Sequence, residues 1–441
     1  MDPYQELSAR IAAREVRVGV LGLGYVGLPL AEALHEGGLT VLGLDSDLER
    51  VRALVEGRAY LRTFGEARSR RLAESSRFAA SADLGRLREC DVVIVCVPTP
   101  LDSDRTPDLS HVLEAARYCG HALRRGQLFV LESTTYPGTT RDEFLGELRR
   151  DAGDLELGQD FFVAYSPERE DPGRTDYTTG TIPKLVGGLE ARSGALAAAL
   201  FRHAIRDVVE VSSAEVAEAA KILENTFRAV NIALVNELKV LLDTLELDVW
   251  EVIDAAATKP FGFMRFEPGP GLGGHCIPVD PFYLAWKARQ AGCPSHFIEL
   301  AGEVNAAMPL YVVGRLLAAL EQEGRAPRGA RVLLLGAAYK REVDETRGSP
   351  SLALMAALED AGALVSYSDP YVPRLDRATG PPLRSLPLSA ALLASCDAVL
   401  VATDHSAFDW ALVGRHARLI VDTRNALRRA GVPITGRLVK A

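Results

Sequence analysis

Short apolar runs alternate with helical runs along the N-terminal part of the chain. The apolar runs are rich in β-branched residues, which is typical of buried strands, and they cover Val16 to Leu21, Thr40 to Leu44, Asp91 to Val97 and Leu128 to Leu131. The run from Leu28 to His35 has helical spacing instead. Strands that alternate with helices predict a parallel sheet with helices on both faces.

A long segment in the middle of the chain has a different pattern. From Ser212 to about Leu245 there is no Gly or Pro, and apolar residues recur at helical spacing. Ser212 and Glu215 match a capping box, so we predict one long helix that begins there. This helix is longer than one small domain usually needs. We therefore expect it to span between domains and to pack against a second subunit in a homodimer.

The strand pattern returns after a linker rich in Gly, Arg and Pro at residues 324–329. The predicted strands are Arg331 to Leu335, Val365 to Ser368, Ser395 to Thr403 and Arg418 to Asp422. The sequence therefore predicts an α/β protein with two Rossmann-like, doubly wound domains joined by a central long helix and a helical dimerisation region. We expect the domain boundaries at 1–211, 212–325 and 326–441.

Composition narrows the class of protein. The 441 residues are 48% hydrophobic and 25% charged, which is ordinary for a globular protein. A net charge of −9 argues against nucleic acid as a partner, and no apolar run reaches the length of about 18 residues that a membrane span needs. Met1 to Glu15 lacks the apolar centre of a signal peptide, so a cytoplasmic location is expected. The six cysteines have no zinc-ligand spacing, so no metal is expected and most of the thiols should be buried and inert.

A glycine-rich loop follows the first predicted strand. Gly22, Gly24 and Gly27 form a GxGxxG motif between strand and helix, and Asp45 ends the next strand. In such a loop the first glycine permits a tight turn, the second lets the backbone approach a pyrophosphate, and the third allows helix and strand to pack closely. Asp45 is suited to hydrogen-bond the ribose hydroxyls and repels a 2′-phosphate. The motif therefore predicts NAD rather than NADP.

Further residues near the same sheet edge extend the predicted cofactor contacts. Tyr25 and Val26 lie inside the loop, and Arg50 follows in the next helical segment, where it is suited to stack on adenine or to contact phosphate. Two turns rich in Pro and Thr follow predicted strands at the carboxyl edge, where ligands of open α/β sheets bind. These turns supply Pro98, Thr99, Ser133 and Thr134 for the nicotinamide half, although turns of this composition also occur without a ligand.

The stretch from Gly269 to Asp280 reads GPGLGGHCIPVD. Four glycines crowd before Cys276 and form a loop whose backbone can wrap a ligand closely. A thiol in this place is a candidate nucleophile, and a buried cysteine beside a structural turn is the alternative. Asp280 is near enough in sequence to orient a water molecule, an amine or His275.

Lys221 and Asn225 are four residues apart on the predicted long helix and therefore share a face. Apolar neighbours place this face at a buried or ligand-facing boundary, and a solvated stripe is the alternative. A lysine there is suited to stabilise a developing alkoxide.

Together the motifs resemble those of the UDP-glucose/GDP-mannose dehydrogenase family over nearly the whole chain. The matching stretches, in order, are GLGYVGLP, CVPTP, ESTTYPG, SPERE, TIPKLVGG, KILENTFRAVNIALVNELK, GPGLGGHCIPVDP, LGAAYKREVDETRGSP and VDTRN. The resemblance implies an N-terminal NAD domain, a central helical dimerisation region and a C-terminal Rossmann-like domain that binds the nucleotide of a UDP-sugar. The UDP-glucose and GDP-mannose branches usually carry Ser at the position of His275. They often carry Lys at the position of Val279. His275 and Val279 therefore indicate a UDP-N-acetylhexosamine as substrate, with UDP-N-acetylglucosamine as first choice.

The resemblance also implies a reaction and its catalytic residues. Cys276 matches the nucleophile and Lys221 the stabiliser of the alkoxide, with Asn225 and Asp280 around the reacting oxygen and water. The C6 alcohol becomes an aldehyde, which the thiol captures as a thiohemiacetal. A second oxidation gives a thioester, and hydrolysis gives the uronic acid and two NADH per sugar.

Glu168 matches the carboxylate that helps activate water for thioester hydrolysis, and Thr134 matches the hydroxyl that positions this water. The sequence after Glu168 departs from the Phe-Leu-x-Glu of UDP-glucose enzymes and leaves open whether Glu170 replaces the second Glu. Arg347 matches an arginine that reaches the NAD of the partner domain or subunit. The further substrate contacts implied are Arg169, Lys259, Gly271, Gly273, Tyr339, Lys340 and Arg424.

Three other functions remain compatible with the residues. One is a UDP-glucose 6-dehydrogenase. Another is a two-electron hydroxyacid dehydrogenase, which would use Lys221 and Asn225 but need neither Cys276 nor a third domain. The last is a non-catalytic nucleotide-sugar-binding protein. The sequence does not distinguish a gluco from a galacto substrate, a particular glycan pathway, or assembly beyond a dimer.

Overall fold

The computed structural model describes residues 2–102, 105–170, 177–274, 276–377 and 380–441. The chain divides into two compact units. The first comprises Met1–Glu224 and Phe282–Cys293, and the second comprises Asn225–Pro281 and Pro294–Ala441. The chain therefore passes from one unit to the other inside two helices, at 224/225 and 281/282, and once in a short connection between helices, at 293/294.

The first unit contains an eight-stranded sheet. Its strands are β1 (Arg17–Leu21), β2 (Thr40–Leu44), β3 (Phe78–Ser81), β4 (Val92–Val95), β5 (Gln127–Leu131), β6 (Phe161–Tyr165), β7 (Lys184–Gly188) and β8 (Val208–Val211). Its helices are α1 (Pro3–Ala13), α2 (Gly27–Glu36), α3 (Leu48–Val55), α4 (Glu66–Ala73), α5 (Ser110–Ala122), α6 (Leu145–Leu148) and α7 (Ala191–Phe201), followed by the start of α8 (Ala214–Thr244).

The strand order of this sheet is β3-β2-β1-β4-β5-β6-β7-β8, and the neighbouring strands are parallel except for the pair β6 and β7. The order reverses between β1 and β4. Ligands of open α/β sheets bind outside the carboxyl ends of the strands at such a reversal. The glycine-rich loop follows β1 and therefore lies at this edge.

The predicted N-terminal strands are confirmed as β1, β2, β4 and β5, with ends that differ by one or two residues. Every residue of β4, β5 and β6 is buried. Strands covered on both faces have continuous apolar sequences rather than an alternating pattern, which is why β4 and β5 were predicted, whereas β6, which is equally buried, was not predicted.

The second unit contains the rest of α8, a helical region and a second sheet. The helices are α9 (Val249–Ala256), the start of α10 (Asp280–Gln290), α11 (His296–Gln322), α12 (Pro350–Asp360), α13 (Ala390–Ser395), α14 (Trp410–His416) and α15 (Ala426–Ala430). The strands are β9 (Arg331–Leu335), β10 (Leu364–Ser368), β11 (Arg374–Leu375), β12 (Leu383–Arg384), β13 (Ala398–Val401), β14 (Leu419–Asp422) and β15 (Arg437–Lys440).

The second sheet has the order β10-β9-β13-β14-β15, and all its neighbouring strands are parallel. Its order also reverses beside its first strand, between β9 and β13, as expected of a Rossmann-like sheet. The predicted C-terminal strands are confirmed as β9, β10, β13 and β14. The predicted fold class, two Rossmann-like domains with a central long helix, is therefore confirmed.

The predicted long helix is confirmed as α8, which has 31 residues. The predicted cap at Ser212 is wrong, because the helix begins at Ala214. The capping hydroxyl belongs to Ser213, which accepts the Val216 N–H at 3.4 Å. Glu215 pairs with Arg141 at 2.6 Å.

Helix α11 is the one helix of the described residues that is long and apolar enough to cross a membrane by length and composition. Its most apolar stretch has a mean hydropathy of 1.2 and is 44% buried within the protein. It contacts β13, β14 and β15 of the second sheet, and the core helix of a globular protein meets the same criterion.

Candidate active site

The glycine-rich loop connects β1 to α2 at the carboxyl edge of the first sheet. Gly22 has a φ of +95°, and a Cβ atom there would lie 2.6 Å from the carbonyl oxygen of Cys96. A Cβ on Gly27 would lie 1.8 Å from the carbonyl oxygen of Gly22, whereas one on Gly24 would meet no atom within 4 Å. The fold itself requires the first and third glycines, while the second faces open space.

The start of α2 has the features of an anion site. Val26 precedes the helix, and no side-chain cap bonds its first turn. The first backbone N–H groups of a helix carry the positive end of its dipole and bind phosphate well. Tyr25 and Val26 are partly buried beside this helix end. The loop therefore fits the pyrophosphate of a dinucleotide.

Asp45 follows β2 and is held against the loop. Its side chain accepts hydrogen bonds from the N–H groups of Leu23 and Asp47, both at 2.8 Å, and only 6% of the residue is exposed. Arg50 lies 3.3 Å from both Asp45 and Asp47. A carboxylate has about four acceptor positions, so capacity remains for ribose hydroxyls.

Replacing Gly24 with Ala tests the loop while leaving the fold intact. The added methyl group enters open space, so we expect the melting temperature to stay within about 2 °C of the parent value. The same methyl group blocks the approach of a pyrophosphate to the backbone. We therefore expect NAD to bind about tenfold more weakly or worse, a loss of about 1.4 kcal/mol. Thermal unfolding and NAD titration measure the two effects separately.

Gly27→Ala is the matched comparison for that change. Its methyl group overlaps the Gly22 carbonyl, so we expect a clear fall in melting temperature. Equal losses of stability in the two variants would contradict the assignment of Gly24 to the cofactor.

Two turns at the carboxyl edge of β4 and β5 are tied down by hydrogen bonds. The hydroxyl of Tyr283 donates to the carbonyl oxygen of Thr99 at 2.6 Å, and that of Ser133 donates to the carbonyl oxygen of Val97 at 2.7 Å. Of the predicted nicotinamide contacts, Pro98 is exposed, and Thr99 and Thr134 are partly buried. The turns lie next to each other at the edge where the cofactor was expected.

Glu168 follows β6 in the first unit. Its Oε1 accepts the N–H groups of Arg169 at 2.6 Å and Glu170 at 2.5 Å, and its Oε2 lies 3.6 Å from the Lys184 ammonium. Burial disfavours the charged form. Lys184, the two N–H groups and Lys221 outweigh burial and hold the pKa of Glu168 below its usual value. Glu168 is therefore an ionised carboxylate at neutral pH, as a general base must be.

Glu170 is a second carboxyl group in the same turn. The hydroxyl of Thr179 donates to it, and burial together with Glu168 raises its pKa. The environments of Glu168 and Glu170 thus push the two pKa values apart, a pattern common where two carboxyl groups have different tasks.

Lys221 and Arg169 fasten this turn to α8. The ammonium of Lys221, a residue that is 7% exposed, donates to the backbone carbonyl of Glu168 at 2.5 Å. Arg169 pairs with Glu224 at 2.7 Å and donates to the carbonyl oxygen of Pro183 at 2.6 Å. The first unit thus brings Glu168, Arg169 and Lys221 together.

Cys276 lies one helical turn before Asp280, the first residue of α10, in the second unit. The carbonyl oxygen of Cys276 accepts the N–H groups of Val279 at 3.0 Å and Asp280 at 2.8 Å. Asp280 is 3% exposed, and its Oδ2 accepts a hydrogen bond from the Asn225 amide at 2.5 Å. The second unit therefore brings together Asn225, Asp280 and the partly buried thiol, at a helix N-terminus that favours an anion.

The glycine-rich loop before Cys276 packs against two predicted substrate contacts. A Cβ on Gly273 would lie 2.7 Å from the Cβ of Tyr339, and one on Gly274 would lie 2.9 Å from the Tyr339 ring. A Cβ on Gly269 would lie 2.4 Å from the guanidinium of Arg424. The glycines are therefore needed for the close approach of this loop to Tyr339 and Arg424.

Buried asparagines hold the other side of this loop. The Gly269 N–H donates to the Asn236 side chain at 2.9 Å, which in turn donates to Asn305 at 2.9 Å. Asn305 donates to the Ala229 carbonyl at 3.2 Å. Gly271 has a φ of +122°, which a side chain rarely adopts. The loop shape is thus set by the backbone and by buried amides.

Three further predicted contacts, Lys340, Arg347 and Lys259, lie at the surface or close to it. The Lys340 ammonium lies 5.7 Å from the ring centroid of Tyr339, Arg347 pairs with Glu345 at 2.6 Å, and Lys259 is exposed. Burial lowers the pKa of the Arg424 guanidinium, against the opposing effect of nearby carboxylates. His275, on which the predicted substrate class partly depends, lies outside the described residues.

The second Rossmann-like sheet repeats the loop geometry of the first, with a difference. Gly336 follows β9 with a φ of +87°, and Asp369 accepts the Ala337 N–H at 2.7 Å. Asp369 also lies 3.1 Å from the buried ring of His405. The Asp369 carboxylate also accepts the N–H groups of Ala338, Tyr371 and Val372, so, unlike that of Asp45, it has no acceptor position left and this loop is not arranged for a dinucleotide ribose.

An ion pair near Glu168 was not predicted from the sequence. Glu132 and Lys184 lie within the quoted ESTTYPG and TIPKLVGG stretches but were given no role. They form a buried ion pair, with 1% and 4% of each residue exposed. A lysine in an otherwise apolar strand sequence was the available signal, because a buried lysine is rare unless it is paired.

The whole chain matches known proteins. It matches the NAD-binding domain of the UDP-glucose/GDP-mannose dehydrogenase family over residues 16–205, the central domain over 215–307 and the UDP-binding domain over 333–429. A UDP-N-acetyl-D-glucosamine 6-dehydrogenase of Pseudomonas aeruginosa is 37% identical over 360 residues, 81% of this chain and 84% of the relative. A UDP-N-acetyl-D-mannosamine dehydrogenase of Pyrococcus horikoshii is 34% identical over 423 residues, 95% of this chain and 97% of the relative.

Solved structures agree with these matches. The structure of the UDP-D-ManNAc dehydrogenase from Pyrococcus horikoshii has a TM-score of 0.87 at 32% identity and covers 96% of this chain and 98% of that one. An NDP-N-acetyl-D-galactosaminuronic acid dehydrogenase from Methanosarcina mazei has a TM-score of 0.79 at 29% identity and covers 100% of this chain and 97% of that one.

The dinucleotide-binding loop, the second Rossmann-like domain and these matches define an NAD-dependent nucleotide-sugar dehydrogenase. The chain belongs to the UDP-glucose/GDP-mannose dehydrogenase family. NAD as cofactor and a UDP-sugar as substrate class are thereby confirmed. A two-electron hydroxyacid dehydrogenase is excluded as the function, because the central and UDP-binding domains of the family are both present. The residue roles and the domain boundaries stay predictions.

Proposed function

We propose that this enzyme oxidises the C6 alcohol of a UDP-N-acetylhexosamine to the carboxylate, with UDP-N-acetylglucosamine as the preferred substrate. The observation that carries the chemistry is the Cys276 loop, whose glycines pack against Tyr339 and Arg424 while Asn225 holds Asp280 one turn beyond the thiol. The substrate class is supported by the GGHCIPVDP sequence and by relatives named for UDP-N-acetyl-D-glucosamine and UDP-N-acetyl-D-mannosamine.

The first oxidation needs a base and a stabiliser for the alkoxide. Bound NAD supplies the hydride acceptor. In the proposal Lys221 stabilises the alkoxide, and Asn225 and Asp280 orient the reacting oxygen. The Lys221 ammonium is already fixed by the Glu168 carbonyl, so it needs little reorganisation in the transition state.

The second oxidation uses Cys276. Its thiolate adds to the aldehyde carbon to form a thiohemiacetal, which becomes a thioester when its hydroxyl loses a proton and its carbon gives a hydride to a second NAD. Water positioned by Thr134 and activated by Glu168 then attacks the thioester carbon, and the thiolate leaves. Covalent capture divides a difficult step into easier ones and prevents escape of the aldehyde.

The experiment that tests this function measures NADH released per sugar consumed. Purified protein is mixed with NAD and, separately, with UDP-GlcNAc, UDP-ManNAc, UDP-GalNAc, UDP-glucose or GDP-mannose. We expect two NADH per sugar, with the highest kcat/KM for UDP-GlcNAc. Preference for UDP-glucose would support the alternative substrate, and no NADH with any sugar would contradict catalysis altogether.

We also propose that the enzyme is a homodimer through α8. Large apolar side chains on this helix are exposed in the single chain at Val216, Leu223, Phe227, Leu234 and Leu241, with 44%, 64%, 44%, 54% and 52% of each exposed. Their spacing by four and seven residues is that of a helical seam. A stripe of this kind is typical of an interaction surface.

Sedimentation of the parent protein and of Leu234→Glu tests the dimer. We expect the parent to sediment as a dimer of 47.6 kDa chains and the variant to shift toward monomer, because a charge in the seam is costly to bury. Arg228→Glu, an exposed change on the same helix at about 120° around the axis from Leu234, is the control. A monomeric parent protein at working concentration would contradict the proposal.

A further inference from the structure

A buried lysine, Lys184, lies next to Glu168, the carboxylate proposed to activate water. Lys184 begins β7, is 4% exposed, and pairs with Glu132 at the end of β5. Its ammonium also lies 3.6 Å from Oε2 of Glu168. One buried cation is therefore shared by two carboxyl groups, and the mechanism above uses only Glu168.

The cluster places two carboxyl groups, those of Glu132 and Glu168, against the ammonium of Lys184. Burial raises the pKa of Glu132 to about 8, against the opposing effect of Lys184. Burial disfavours the charged form of Lys184, but Glu132 and Glu168 outweigh it and raise the lysine pKa. The other titratable or charged groups that face the cluster are Cys96, Glu170, Lys221 and, opposite Glu170, Arg68.

We propose that Lys184, held in place by Glu132, is a positioning residue that keeps Glu168 ionised and oriented for thioester hydrolysis. This inference rests on the proposed function. In the hydrolytic step Glu168 removes a proton from water as the water oxygen bonds to the thioester carbon. The C–S bond then breaks, and Cys276 leaves as a thiolate. A protonated Glu168 cannot accept that proton, so the step depends on the charge that Lys184 stabilises.

Lys184→Met removes the charge while keeping most of the side-chain volume. An opposite charge within about 4–6 Å lowers a carboxyl pKa by about 1–3 units, so its loss should move the acidic limb of the hydrolysis rate up by about 1–3 pH units. Below that limb, acid-quenched enzyme taken during turnover should carry the uronyl group on Cys276 in intact-protein mass spectra. At higher pH the adduct should disappear. Lys184→Arg keeps the charge and should leave the limb close to its parent position.

Lys239→Met is the matched control, since Lys239 is also a buried lysine paired with a carboxylate, Asp243, in the second unit. Lys239→Met should lower the stability of the fold without shifting the acidic limb of the hydrolysis rate. A loss of kcat in Lys184→Met with an unmoved limb and no adduct would overturn the proposal, because a purely structural lysine acts in that way. If Lys184→Met does not fold, Lys184→Gln decides instead.

Lys184→Gln also removes the charge but keeps a hydrogen-bond donor beside Glu132, so the limb should again move to higher pH, and an unmoved limb would overturn the proposal. The experiments use the UDP-sugar that the parent enzyme oxidises fastest in the panel above. No NADH from the parent enzyme with any sugar refutes the proposed function. Two NADH per sugar from the parent, with an unmoved limb in the variants, refutes only the role of Lys184.

Discussion

Cys276→Ser is expected to release at most one NADH per sugar and to form no uronic acid. The hydroxyl of serine is a much weaker nucleophile at neutral pH than a thiol with a few per cent thiolate. Without thioester formation the second oxidation has no covalent intermediate, and the reaction should stop at an aldehyde or a stalled hemiacetal. Loss of a protease nucleophile costs on the order of 10⁶ in kcat, so a fall of at least about 10³ in uronate formation is expected here.

The structure offers a matched thiol for this experiment. Cys293 is exposed, whereas Cys276 is partly buried between the glycine loop and the start of α10. Cys293→Ser should keep the parent rate and the two NADH per sugar. Stoichiometry is measured by absorbance of NADH against chromatographic loss of the sugar. Two NADH per sugar from Cys276→Ser would refute the nucleophile assignment.

Much of the fold was predictable because its signals are local. The strands β1, β4 and β5 are buried on both faces, so their sequences are continuous apolar runs between turns. Helix α8 lacks Gly and Pro over its whole length, and its predicted ends differ from the observed ones by one or two residues. Among the strands that were not predicted, β3 and β8 are partly exposed and lack this signal, whereas β6 is buried throughout and its apolar sequence FFVAY was missed.

The candidate site was predictable where the backbone geometry itself requires the residues of the motif. Gly22 and Gly27 are glycines because a Cβ atom has no room there, and the loop before Cys276 follows the same logic at Gly273. The Glu132–Lys184 pair was not predictable, because its partners are 52 residues apart in sequence and meet only through the pairing of strands. Which of the two carboxyl groups has the lowered pKa, Glu168 or Glu170, likewise depends on neighbours that the sequence does not place.

The six cysteines also differ in ways that depend on their surroundings in the fold. Burial raises the pKa of Cys90 to about 12, and it raises the pKa values of Cys96, Cys119 and Cys396 as well. These four are poor nucleophiles, as predicted for most of the cysteines. We predict that Cys276 is reactive instead, because it follows a glycine loop and precedes a helix N-terminus, an environment that favours a thiolate.

Lys221→Ala is expected to slow the first oxidation by about 10²–10³, the usual cost of one missing oxyanion stabiliser. Lys221 is 7% exposed and donates to the Glu168 carbonyl, so the loss removes a fixed charge rather than a mobile one. Because Lys221 also helps to lower the pKa of Glu168, the acidic limb of hydrolysis should move upward too. The larger effect should fall on the burst of the first NADH in a single turnover, which precedes hydrolysis.

Two comparisons separate these effects of Lys221. Lys221→Arg keeps the charge, so it should recover most of the pH limb but not the full burst rate, since a guanidinium has a different shape from an ammonium. With a substrate deuterated at C6, the burst of Lys221→Ala should show a larger isotope effect than the parent burst if hydride transfer has become rate-limiting. An unchanged burst rate in Lys221→Ala would contradict alkoxide stabilisation and would leave Lys221 only the task of fastening Glu168 to α8.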